Sequence, residues 1–135
     1  MIIDFMGQEE YVNNRGVNSE GLENVVNLTL SEPNYGFFLL GLDTNTQIQS
    51  LIMISYEFTD WRNGVFYWIQ FAEATSEDAL KEILAKIKDM SKEDEWCKGI
   101  RAVYDNKYSD HWKKIDENLD LAKSHYYVYH IDTKN

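Results

Sequence analysis

Asn63-Gly64 stands between two runs of β-favouring residues, Leu51-Ile52-Met53-Ile54-Ser55-Tyr56-Glu57-Phe58 and Val65-Phe66-Tyr67-Trp68-Ile69. Asn-Gly accepts the positive φ that both central positions of a type I′ turn demand, and that turn matches the twist of paired strands. The dipeptide therefore predicts an antiparallel hairpin folded about residues 63–64. Leu51-Ile52-Met53-Ile54 has no polar alternation, so its strand must be covered on both faces. A chain built around it needs a layer above the sheet and a layer below.

The rest of the sequence supplies those layers. Gly36 to Leu42 is a short apolar run and Asp43-Thr44-Asn45-Thr46 has turn composition, which predicts a first hairpin from about residue 36 to 58. The third strand runs from Val65 to about Ala72, and strict alternation would put Phe66, Trp68 and Gln70 on one face and Val65, Tyr67, Ile69 and Phe71 on the other. Thr75 and Ser76 offer a helix cap, and Leu80, Ile83, Leu84 and Ile87 follow at helical spacing. They predict a helix to about Met90 with Lys92 to Glu95 as its solvated exit. Upstream, Ser19 opens a helix to about Leu30 with Leu22, Val25, Val26 and Thr29 on one face, ended by Pro33-Asn34. Residues 1–18 read as irregular. Downstream come a strand at Ile100–Tyr104, a helix marked by Trp112, Ile115, Leu119 and Ala122, and a Tyr-rich strand from His125 to Ile131. A meander followed by β-helix-β connections implies an α/β chain, of the α+β mixed-sheet kind, with helices on both faces.

A chain of 135 residues supports one domain, 1–135. Its 23 acidic against 13 basic residues leave a net charge of −10 with no Lys/Arg cluster, which disfavours nucleic acid and anionic membranes as partners. Cys97 is the single cysteine, so neither an internal disulfide nor a cysteine-based metal site is available, and no metal is expected. A reducing, cytoplasmic setting fits the absence of a basic start, a leader-like apolar run or a membrane-length segment.

Two stretches resemble the GNAT superfamily of N-acetyltransferases. One is Ile52 through Gln70, with Trp61-Arg62-Asn63-Gly64 as its turn, which is similar to the third and fourth strands of a bacterial GNAT subgroup. The other is Cys97 to Asn106 followed by Asn118 to Tyr129, which looks like the family's fifth strand and tail. The resemblance implies an acyl-CoA N-acyltransferase fold, here reduced at its N-terminal end. It also implies a sheet splayed between the family's fourth and fifth strands, acetyl-CoA in the opening, and an amine acceptor opposite. On this chain the cofactor positions would be Phe71, Ala72, Glu73 and Asn106.

The sequence departs from that pattern at the junction that holds the pyrophosphate. The family's glycine-rich loop lets backbone amides approach the phosphates at a helix N-terminus, but here the junction is Phe71-Ala72-Glu73-Ala74-Thr75-Ser76-Glu77-Asp78, without glycine or arginine. Glu77 and Asp78 fall in the first helical turn, the niche a phosphate would take. The family's leaving-group tyrosine would fall near Lys113 or Asp116, and Asp120 stands where the family has glycine.

Glu57 is the candidate catalytic base or ammonium-binding carboxylate, and Tyr56, Trp61, Trp68 and Gln70 the candidate cleft for an amine or partner. Such polar and aromatic groups serve equally as an edge above a packed core. Cys97, with Lys98 as its only basic neighbour, reads as an ordinary thiol. The Tyr-rich strand suits a homodimer contact. The expected function is a GNAT-like protein with a degenerate acetyl-CoA site, acting as a binding or regulatory module on a basic protein. The alternative is an active acetyl-CoA-dependent N-acetyltransferase with an atypical cofactor loop.

Overall fold

The computed structural model describes residues 1–7, 19–59, 62–102, 109–121 and 131–133. The elements are α1 (Ile2–Gly7), α2 (Ser19–Ser31), β1 (Gly36–Leu42), β2 (Ile48–Thr59), β3 (Gly64–Ala74), α3 (Glu77–Glu93), β4 (Cys97–Ala102) and α4 (Ser109–Leu119). The sheet order is β1-β2-β3-β4, the first three antiparallel and β4 parallel to β3. It is the mixed α+β sheet the sequence implies. The predicted strand at 125–131 and the Tyr-rich stretch lie outside the described residues, apart from Ile131.

Each face of the sheet carries its own core. Ile52, Ile54, Tyr67, Ile69 and Ala72 pack under Leu80, Ile83, Leu84 and Ile87 of α3 and Ile115 and Leu119 of α4. Leu51, Met53 and Phe71 pack against Met6 of α1 and Leu22 and Val26 of α2. Burying side chains of this size stabilises by about 1.5–3 kcal/mol each, so the apolar run 51–54 ties both layers together.

Five local expectations need correction. Residues 2–7 are helical rather than irregular, because Met6 is an anchor, only 4% exposed in the second core. In α2, Val25 faces solvent while Leu22, Val26 and Thr29 are buried; the Thr29 hydroxyl is satisfied by the Val25 carbonyl at 2.8 Å. β4 begins at Cys97, three residues before the predicted strand, and α3 runs to Glu93 with Asp94 as its C-cap.

The fifth concerns the turn between β2 and β3. β2 and β3 close with Thr59 opposite Gly64, so the loop is residues 60–63 and not the two-residue type I′ connection. Asn63 does take positive φ, 54°, as its short polar side chain permits. Gly64 instead belongs to β3, and it is glycine because of crowding: a Cβ there would meet the Trp96 carbonyl oxygen at 2.3 Å. At the end of α4, Asp120 adopts φ 55° and its N–H donates to the Asp116 carbonyl at 2.7 Å. It performs the helix-ending role usually given to glycine.

Candidate functional site: the distal half of β3 and its junction with α3

β3 changes character at Gln70. Ile54 pairs with Ile69 and Met53 with Phe71, which leaves Gln70 as the extra residue of a β-bulge. Beyond a bulge the alternation shifts by one. Phe71 therefore joins the face of Phe66 and Trp68, not that of Tyr67 and Ile69 as strict alternation predicts, and it is 2% exposed in the core beneath α1 and α2. Ala72, fully buried, faces α3 instead.

The described pairing with β4 ends just before this point. The described register runs from Val65–Cys97 to Ile69–Ala102, with Lys98 as the extra residue between Cys97 and Gly99. β3 then continues to Ala74.

The junction that follows is closed by its own groups. The Glu73 carboxylate accepts the Ala74 amide at 3.0 Å. The Gln49 carbonyl accepts the Thr75 amide at 2.8 Å, and the Thr75 hydroxyl meets Gln49 Oε1 at 2.9 Å. Ser76 caps α3, its Oγ accepting the Ala79 amide at 3.1 Å. The amides of Glu77 and Asp78, at the first two helical positions, lack partners within the helix. Their own carboxylates share that first turn, and Lys114 of α4 lies 3.6 Å from Glu77.

Glu57 lies on the face of β2 that carries Leu51 and Met53, two residues from Ser55. Gln70 Nε2 donates to Ser55 Oγ at 2.8 Å, so the bulge brings Gln70 to the same polar strip. The Glu57 partner is Arg101, at 3.5 Å, with both side chains about two-fifths exposed (43% and 39%). Its second oxygen, Oε2, is buried without a hydrogen-bond partner among the described residues. Arg101 in turn lies 3.7 Å from the centroid of the Phe66 ring, and Arg62 lies 5.6 Å from it. The aromatic face that could hold a ligand cation is thus taken by the protein's own guanidinium. Nothing in the sequence pairs Glu57 with Arg101, 44 residues away, or marks Phe66 as the ring between them.

The predicted aromatic cleft does not assemble as drawn. Tyr56 points to the opposite face from Glu57, where it stacks with Phe37 and Tyr67 at 5.8 and 5.9 Å between centroids. Trp68 is half-buried on the Glu57 side; Trp61 and Asn106 lie outside the described residues. The Tyr67 hydroxyl donates to Asp94, and burial, then that bond, pushes its pKa well above 10.0. Burial likewise raises the Cys97 thiol. Among the described residues no cluster of His, Cys, Asp and Glu could hold a metal, and no helix is long and apolar enough to cross a membrane.

The whole architecture matches a possible acetyltransferase from Clostridium difficile 630 with a TM-score of 0.83 at 23% identity, covering 99% of this chain and 90% of that one. The fold is that of the GNAT acetyltransferases. A GNAT family acetyltransferase of Staphylococcus aureus matches at 0.61 and 18% identity, over 84% of this chain and 78% of its own. Glucosamine-6-phosphate N-acetyltransferase from Arabidopsis thaliana matches this GNAT fold at 0.57 and 14% identity, over 86% and 80%. No family model matches the chain, and no curated protein does.

Proposed function

We propose that this GNAT-fold protein has a weakened acetyl-CoA site and works as a binding or regulatory module, with a basic protein as partner. The β3–α3 junction carries the reading. Where the family resemblance calls for open amides leading into a helix start, the Ala74 and Thr75 amides just before it are already bonded within the chain, and Glu73, Glu77 and Asp78 set three carboxylates around the Glu77 and Asp78 amides that remain. A pyrophosphate entering there would exchange its hydration for like charge. Each desolvated like-charge contact is unfavourable.

One observation supports the alternative of an active amine N-acetyltransferase. Glu57, whose Oε2 is buried without a hydrogen-bond partner among the described residues, would then be the group that binds or deprotonates an ammonium. Calorimetric titration of acetyl-CoA at low salt separates the two: the module reading expects no heat at millimolar ligand, and micromolar affinity sinks it.

A further inference from the structure

We propose that the outer edge of β1 and the flank of α3 form a docking groove for an extended, basic segment of a partner protein, which adds a strand beside β1. The proposal deepens the module reading and rests on it for the partner's class.

A cavity of about 610 Å³ lies between these elements, lined on one side by Leu39, Leu40, Gly41 and Leu42 and on the other by residues of α3. That is ample for a short peptide. β1 is the outermost strand of the described sheet. The Tyr56 amide donates to the Tyr35 carbonyl, and hydrogen-bonded pairs alternate along an antiparallel ladder. Phe37 and Leu39 therefore bond to β2, whereas Phe38 and Leu40 turn their backbone groups outward. Among the described residues nothing accepts from or donates to those outward groups. An exposed edge with unused amides and carbonyls is a template for another strand.

The groove wall selects the strand. Leu42 is 49% exposed, and with Ala79, Ile83 and Ala85 it gives an apolar lining. Asp78, Glu82 and Asp89 also line it. At about 100° per residue they fall within roughly 40° of one another on α3, separated by rises of about 6 and 10.5 Å. Same-face side chains of an extended peptide repeat at about 6.6 Å, so a lysine at alternate positions can follow that stripe. Lys86 is the single cation in the lining. A second copy of the chain is a poor occupant, since it carries the same net charge of −10 and would set acidic wall against acidic wall.

The test uses the full chain and two fluorescein-labelled peptides, Lys-Val-Lys-Val-Lys-Val-Lys and its glutamate counterpart, followed by anisotropy. The lysine peptide is expected to bind and the glutamate peptide not to. Ala85→Trp, which fills the groove from an exposed helix position, and the double change Glu82→Lys with Asp89→Lys are each expected to weaken binding about tenfold or more. Hydrogen exchange should slow at the Phe38 and Leu40 amides in the complex. The proposal is overturned if the lysine peptide does not bind, or if either variant binds as wild type does, which would mean diffuse attraction to an acidic surface. It is also overturned if the wild type forms a dimer that Ala85→Trp abolishes. Acetyl-CoA titrated into wild type and Ala85→Trp reads the cofactor site separately: micromolar heat in both overturns the module reading, whereas loss of peptide binding alone speaks only to the groove.

Discussion

From Val65 to Ile69, β3 is paired on both sides, and its side chains alternate so regularly that Tyr67 and Ile69 can be assigned to the α3 face from sequence. From Gln70 to Ala74 the same strand carries a bulge and turns Phe71 to the face that alternation denies it. The contrast teaches how one extra residue redirects a strand between two cores. The doubly paired half is constrained by two ladders and a core. The distal half carries the bulge and leads into α3, and the junction there holds Glu73, Glu77 and Asp78 and no glycine.

Single-residue deletions should break the two halves differently. Removing Trp68 forces Ile69 and Gln70 to exchange faces, so the cooperative thermal transition should be lost. Removing Gln70 takes away only the extra residue of the bulge, leaves Phe71 and Ala72 on their present faces, and should preserve a cooperative transition. Equal outcomes would refute the bulge. Phe71→Ala should cost about 3–5 kcal/mol in urea unfolding, because the ring is a buried anchor rather than a lining of the cleft; a loss below about 1 kcal/mol would contradict its placement.

Smaller effects sharpen the same contrast. In the paired half, Tyr67 holds its proton more tightly folded than unfolded, through burial first and its bond to Asp94 second. Its contribution is complete below pH 10.0, the ordinary tyrosine value, and is lost as the pH rises above it, when the unfolded chain ionises and the folded chain does not. Tyr56 is raised as well, also chiefly by burial. Tyr67→Phe should therefore flatten the alkaline fall in stability without abolishing it, and an unchanged slope would contradict the bond. At the junction, Ser76→Ala removes the cap of α3 and should cost about 1 kcal/mol, readable by chemical unfolding.

Most of the fold was legible because its signals are local. Leu80, Ile83, Leu84 and Ile87 announce a helix by spacing, and Leu51 to Ile54 announce a buried strand by lacking polar residues. The departures lie where long-range geometry overrides local preference. Asn63-Gly64 marks a hairpin, but a carbonyl from Trp96 decides what Gly64 is for. The bulge at Gln70 leaves no mark in composition, and it misassigns Phe71. Of the candidate site, Glu57 and Gln70 do share a polar strip. Arg101 and Phe66 could not be found, since only the sheet brings residues from three strands together.

The central claim is that carboxylates and self-bonded amides at the β3–α3 junction weaken acetyl-CoA binding. Its most direct test is calorimetry of acetyl-CoA with wild type beside a variant carrying Glu73→Gln, Glu77→Gln and Asp78→Asn. The account predicts no measurable heat for wild type at millimolar ligand and detectable binding for the variant; micromolar binding to wild type, unchanged by the substitutions, would contradict it.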